Sequence, residues 1–191
     1  MAFDGVDDYA EIPHSSSLSI ADEITIAAWI YPLSLETGPD YLQWRRGGIV
    51  VHRWLNEITD HILTTYGTSL EYNVHTTDGW FTFTQSGLMP MHWQHVAVKV
   101  NATQHVFLYI NGVEYYKGSY TGIITPTNLP WTIGREAWGK QYFNGTIDEV
   151  RIYDRALSLQ EIKAVAGSGA IQTQTITLLS GNYTTMTFIW N

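Results

Sequence analysis

The sequence predicts an all-β protein: two antiparallel sheets packed as a sandwich or jelly roll, with one short helix near the C-terminus. Three observations predict it. Apolar and polar residues alternate with period two along most of the chain. Asn111-Gly112 stands between two such runs, and both residues tolerate the positive φ of a tight hairpin turn. Charged residues are only 15% of the chain while Trp, Tyr and Phe make up 14%, the balance of a packed β protein and not of a disordered one.

In chain order, residues 24–31 read as a buried strand rich in β-branched side chains. Runs follow at 47–52, 61–66, 69–74 and 79–84. His95 to Val100 and Val106 to Ile110 alternate cleanly, and Val113 to Lys117 follows the Asn-Gly turn. Further runs cover 131–134 and 146–153, making about a dozen short strands. One helix is expected from Ser158, because Ser158-Leu159-Gln160-Glu161 is a capping box and Leu159, Ile162 and Val165 or Ala166 recur at helical spacing. Gly167 is the expected left-handed stop. At about two turns this helix cannot stand alone and needs a sheet to dock on. Residues 167–170 form a seam, dividing a domain at 1–169 from a Thr-rich hairpin at 170–191, either an added edge pair or a fragment of a following domain.

The chain has 191 residues, enough to bury roughly 70% of its unfolded surface without a staple, and it has no cysteine. That excludes disulfides, thiolate metal sites and a cysteine nucleophile. A formal charge of −8 has the wrong sign for tracking phosphates, so nucleic acid is not an expected partner. No apolar run is long enough to span a bilayer as a helix, and the first residues contain no basic stretch followed by an apolar core.

Three blocks, in order, carry a resemblance. Residues 3–12 read F-D-G-V-D-D-Y-A-E-I. W-Q-H-V-A-V-K-V at 93–100 is followed by L-Y-I-N-G-V-E at 108–114. T-I-G-R at 132–135 precedes F-N-G-T-I-D-E-V-R-I-Y-D-R-A-L-S at 143–158. Together they resemble the laminin-G-like jelly-roll domains of the concanavalin A-like lectin/glucanase superfamily, over residues 1 to about 167. The stretch 40–90 departs most from that pattern, and 176–190 faintly resembles the last strands of immunoglobulin-like repeats.

The resemblance implies a structural calcium ion where the first strand meets the late I-D-E-V strand, with Asp4, Asp148 and the Gly5 carbonyl as donors and Asp7 and Asp8 as weaker candidates. Calcium's preference for six to eight oxygens suits this set. The same acidic residues also suit plain turn chemistry, their carboxylates bonding backbone amides.

The resemblance further implies ligand binding on an open sheet face and its edge loops. Trp29, Trp93 and Trp131 are expected in the core. Trp44, Trp54 and Trp138 lie in polar stretches with Arg45, Arg46 and Arg53 near the first two, a composition suited to glycan contacts. Trp80 and Tyr142 are expected to join them. The arginines fit a uronate or sulfate, or equally a solvated edge strand.

Catalytic relatives carry an E-x-D-x-x-E strand whose alternate carboxylates share one cleft. Here Asp148-Glu149 are adjacent, and neighbours on a strand face opposite sides. The seven histidines show no H-x-x-x-H spacing, and His95 reads as structural. The expectation is therefore a noncatalytic, lectin-like, calcium-stabilised module of a secreted or cell-surface protein, with a glycan as partner. The alternatives are an adhesive module that binds other surface or virion proteins, and a carbohydrate-active enzyme.

Overall fold

The computed structural model describes residues 1–35, 46–52, 61–125, 127–136, 141–167, 176–179 and 184–186, the last two stretches as backbone. In chain order the strands are β1 (Ala2–Asp4), β2 (Ala10–Ile12), β3 (Ile24–Pro32) and β4 (Arg46–His52). Next come β5 (His61–Tyr66), β6 (Ser69–Thr76), β7 (Gly79–Ser86) and β8 (Gln94–Val100). After β9 (His105–Ile110) and β10 (Val113–Ser119) lie β11 (Trp131–Ile133), β12 (Arg135–Glu136) and β13 (Gln141–Tyr142). The chain closes with β14 (Asn144–Tyr153), helix α1 (Leu159–Gly167), β15 (Ile176–Leu179) and β16 (Thr184–Met186).

Among the described residues these strands form two main layers. One sheet runs β10-β9-β8-β3-β14-β15-β16, with β1 also on β14. The other runs β2-β11-β4-β5-β6-β7, and β12 and β13 make a small separate ribbon. Pairing is antiparallel except where β15 joins β14 in parallel, Arg151 to Thr177 through Tyr153 to Leu179.

Alternation decides which side chains meet. Ile24, Ile26, Ala28 and Ile30 of β3 point inward with Val96, Val98 and Val100 of β8, and meet Val50, Leu63, Leu70, Tyr72 and Val74 of the opposite sheet. Trp131 is fully buried there, its ring stacked on His52 at 4.5 Å and its indole N–H donating to the Leu18 carbonyl at 3.3 Å. The other parity of the first sheet supplies Ala27, Ala97, Tyr109 and Tyr153, which are covered by Leu157, just before α1, and by Ile162 of α1.

Asn111 (φ 52°) and Gly112 (φ 74°) make the expected hairpin turn. The capping box also forms: the Glu161 amide donates to the Ser158 hydroxyl at 3.3 Å, and the Ser158 amide donates to Glu161 Oε2 at 2.8 Å. Gly167 departs from expectation. It is the last helical residue and does not enter the left-handed region.

Candidate functional site

The residues expected to share a calcium ion do not all converge. Asp4 ends β1 opposite Asn144, whereas Asp148 lies four residues further along β14, about 13 Å away at strand spacing. Asp148 is not among the carboxylates that gather around Asp4. The reason is register: β1 pairs with β14 so that Asp4 meets Asn144, and Met1 sits beside Ile147, its ammonium donating to the Ile147 carbonyl at 2.8 Å. Burial lowers the pKa of that ammonium, and the charge of Asp148 partly opposes the shift. Asp148 itself accepts from the Glu149 amide at 2.9 Å.

What converges instead is the β1–β2 turn. The carboxylates of Asp4, Asp7 and Asp8 lie within 4.8 Å of one another, all exposed. Asp4 Oδ1 accepts from the Val6 amide at 2.7 Å and Asp8 Oδ2 from the Asp4 amide at 3.1 Å, so the turn uses part of this oxygen set itself. Gly5 packs against Asn144 across the turn. This donor set, without Asp148, is the one whose chemistry suits a hard cation.

The late acid pair has a structural role. Asp148 and Glu149 sit at a bulge in the β14–β3 pairing, Glu149 holds φ 48°, and its carboxylate accepts from Arg151 at 2.6 Å.

The ligand-binding expectations divide. Trp44, Arg45, Trp54 and Trp138 lie outside the described residues, as does Arg53. Trp80 is on β7, 49% exposed, with its ring edge-on to His75 at 4.9 Å. Tyr142 is half-buried on β13 opposite Arg135. Trp131 is in the core as expected, but Trp93 is not: it is 47% exposed and leans on Tyr31 at 5.6 Å. The W-Q-H-V block begins one residue before β8, and Trp93 falls on the outward parity.

Register assembles a face around Trp80. Arg46, Tyr66 and Ser69 share one row with Ser86; Gly48, Thr64 and Glu71 share another with Thr84; Asn73 pairs with Thr82 and His75 with Trp80. All of these point away from the core, because Leu70, Tyr72 and Val74 on the alternate positions point into it. The ribbon crosses this outer face at Gly48, where a Cβ would lie 2.3 Å from the Arg135 carbonyl carbon. At the β7 end the face is open, and Trp80, Thr82, Thr84 and Ser86 are exposed in a row.

Beneath that row lies a network that the sequence reading passed over. Glu71 is 2% exposed; its Oε1 accepts from Asn73 Nδ2 at 2.8 Å and pairs with the Arg46 guanidinium at 2.8 Å. The Thr82 hydroxyl donates to Asn73 Oδ1 at 2.6 Å. Arg46 also lies over the Tyr66 ring at 5.4 Å. The signal was present in S-L-E-Y-N-V-H at 69–75, where every second residue is polar and hydrogen-bonding.

Comparison with known proteins agrees with this architecture. Domain 4 of an extracellular GH43 arabinanase from Geobacillus stearothermophilus, solved with arabinotriose, is 21% identical with a TM-score of 0.66, covering 86% of this chain and 75% of that one. The CBM40 of an IT-sialidase from Ruminococcus gnavus, bound to α2,3-sialyllactose, is 16% identical with a TM-score of 0.63, over 84% and 97% of the two chains. Mouse laminin α1 domains LG4-5 give 13% identity and a TM-score of 0.62, over 82% of this chain and 43% of that one. No curated protein matches the sequence. The family model of the concanavalin A-like lectin/glucanases superfamily matches residues 4–163, and this chain belongs to that superfamily as a laminin-G-like jelly roll.

Proposed function

We propose that the chain is a noncatalytic carbohydrate-binding domain of a secreted or cell-surface protein, holding its glycan against the outer face of the six-stranded sheet. The observation that carries this reading is the exposed Trp80 at the head of a row of hydroxyls, Thr82, Thr84 and Ser86, over the buried Glu71–Asn73–Arg46 network. An indole stacks on the apolar face of a sugar ring, and fixed hydroxyl, amide and guanidinium groups read its hydroxyls. Two solved structures of the same fold that contain oligosaccharides support it. The noncatalytic part is supported by the composition of the exposed row: β7 presents an indole and hydroxyls and carries no carboxylate, and the buried Glu71 carboxylate is held by Arg46 and Asn73.

The reading includes a structural calcium ion, with Asp4, Asp7 and Asp8 as its carboxylate donors. Bound there, the ion would neutralise crowded like charges and stiffen the turn joining the two sheets.

Titration with a polysaccharide panel, followed by Trp fluorescence and calorimetry, tests the proposal. At least one glycan should bind saturably, and Trp80→Ala should weaken it about tenfold or more without moving Tm. An unaltered affinity would remove Trp80 from the site.

A second reading, a protein-binding module, has its own observation. Leu33, Met89, Met91 and Trp93 are exposed together at one end of the sandwich. Gln94 braces that loop, accepting from the Met89 amide at 3.0 Å and donating to its carbonyl at 2.8 Å, while the Met91 amide donates to Pro32 at 2.7 Å. A panel in which no sugar saturates favours this second reading.

A further inference from the structure

We propose that Asn101 is an acceptor site for N-linked glycosylation, and that Asn144, which opens the same triplet, is not. This assignment rests on the secreted or cell-surface part of the reading above and goes beyond it by giving one side chain a covalent modification. Asn-X-Thr, with X other than proline, is the triplet to which a lumenal oligosaccharyltransferase adds a sugar chain. It occurs as Asn101-Ala102-Thr103, as Asn144-Gly145-Thr146 and as Asn182-Tyr183-Thr184, where Asn182 lies outside the described residues. Local structure separates the first two.

Asn101 follows the last residue of β8 and opens the turn into β9. Its backbone closes that turn: the carbonyl accepts from the Gln104 amide at 2.8 Å, and the amide donates to the His105 carbonyl at 3.2 Å. The side chain faces the turn through its oxygen. Oδ1 accepts from the Thr103 hydroxyl at 2.9 Å, the His105 amide at 3.0 Å and the Thr103 amide at 3.2 Å. Three donors around one atom fix which end of the carboxamide is oxygen. Nδ2 is the end turned away, and it is not among the enclosed polar atoms of the described residues. Ala102 and Thr103 beside it are exposed. The hydroxyl that the triplet requires thus already sits on the carbonyl of the acceptor amide.

Asn144 is held differently. It pairs with Asp4 across β1 and β14, and its side chain packs so closely over Gly5 that a Cβ there would lie 2.8 Å away. Its Nδ2 donates to the Ser34 hydroxyl at 3.3 Å. Asn144 and Thr146 lie on an extended strand and do not make the turn that Asn101 and Thr103 make. A sugar on this nitrogen would displace Ser34 where β1 meets β14.

The position suits a binding domain. From Trp93 to Val100 the chain runs about 23 Å, so Asn101 lies at the opposite end of β8 from the apolar cluster of Leu33, Met89, Met91 and Trp93. It follows a strand of the eight-stranded sheet, whereas the Trp80 row lies on the outer face of the other sheet. A sugar chain rooted at Asn101 starts from neither surface. In the transfer, Nδ2 bonds to the anomeric carbon of a lipid-pyrophosphate-linked oligosaccharide as the bond from that carbon to the pyrophosphate oxygen breaks. The lipid pyrophosphate leaves with the electron pair, and the amide gives up one proton.

The experiment expresses the intact chain behind a cleavable secretion leader in a eukaryotic cell line. Lumenal and secreted protein is digested, treated with peptide N-glycosidase in heavy-oxygen water and mapped by mass spectrometry, so that each released site reads as labelled aspartate. Asn101 should be occupied in more than about half of the molecules and Asn144 in fewer than about a tenth. Thr103→Ala should abolish occupancy at Asn101, and Thr103→Ser, which restores the hydroxyl, should retain it. Occupancy is read on all lumenal chain, folded or not, so a variant that folds poorly still reports. Lumenal chain with a bare Asn101, occupancy unmoved by Thr103→Ala, or Asn144 occupied as fully as Asn101 overturns this inference and leaves the secreted reading standing. Wild-type chain that never reaches the medium overturns the secreted reading, and this inference with it.

Discussion

His95 shows how one side chain couples the fold to solution conditions. It is 1% exposed on the outer side of the eight-stranded sheet, edge-on to Trp29 at 5.8 Å, and neither ring nitrogen has a hydrogen-bond partner. Burial, with the nearby Arg151 charge, lowers its pKa to about 4. The unfolded chain takes up the proton near pH 6.5 but the native protein does not until about pH 4. Stability is therefore full above pH 6.5 and falls as pH drops toward 4, by about 3 kcal/mol in all. Urea unfolding at pH 7 and pH 4.5 should show this loss, and His95→Phe, which removes the titrating ring, should flatten it by most of that amount. An equal acid sensitivity in the variant would place the effect elsewhere. The sequence places His95 in a packing block and so gives its burial, but its lack of partners depends on which side chains reach it across β3 and β14.

At the scale of elements, local chemistry was readable and register was not. The alternation at 24–31, 95–100 and 106–110, the Asn111-Gly112 turn and the Ser158 capping box each act within a few residues and appear where the sequence puts them. The separation of Asp4 and Asp148 depends on how β1 slides along β14, which no local pattern encodes. Trp93 went outward because it shares the parity of His95 and Ala97, which the pairing of β8 with β3 decides. The polar row of β6 was legible, yet recognising Glu71 as part of a site needed Arg46 from β4 and Thr82 from β7, brought in by pairing. Among these elements, α1 offers the simplest test. Ser158 accepts from the Glu161 amide, so Ser158→Ala should cost about 1 kcal/mol through the lost cap. A midpoint shift in urea measures this, and because α1 packs on the side away from Trp80, glycan affinity should stay unchanged.

On the scale of the whole molecule, the N-terminal turn is where an ion would act. Strand β1 belongs to one sheet and β2 to the other, and the Asp4, Asp7 and Asp8 carboxylates crowd the link between them. Calcium bound only by the native state, at a few times its Kd, adds about 1 kcal/mol, which for a chain of this size raises Tm by about 2–4 °C. Thermal scans in millimolar calcium and in excess EDTA should differ by that amount, and Asp7→Asn with Asp8→Asn should abolish the difference. Coincident scans for the wild-type chain would remove the ion from the account.

Helix α1 gives the sandwich a back and a front. Its apolar side closes over Ala27, Ala97, Tyr109 and Tyr153, and Lys99 and Lys163 stand on that same side, Lys163 against the Gly112 turn. A sensor chip or bead coupled through the exposed Lys163 amine would grip the domain from behind and leave the Trp80 row turned to the liquid. A host protein that tethered the domain along its helix side would present that row to its surroundings in the same way.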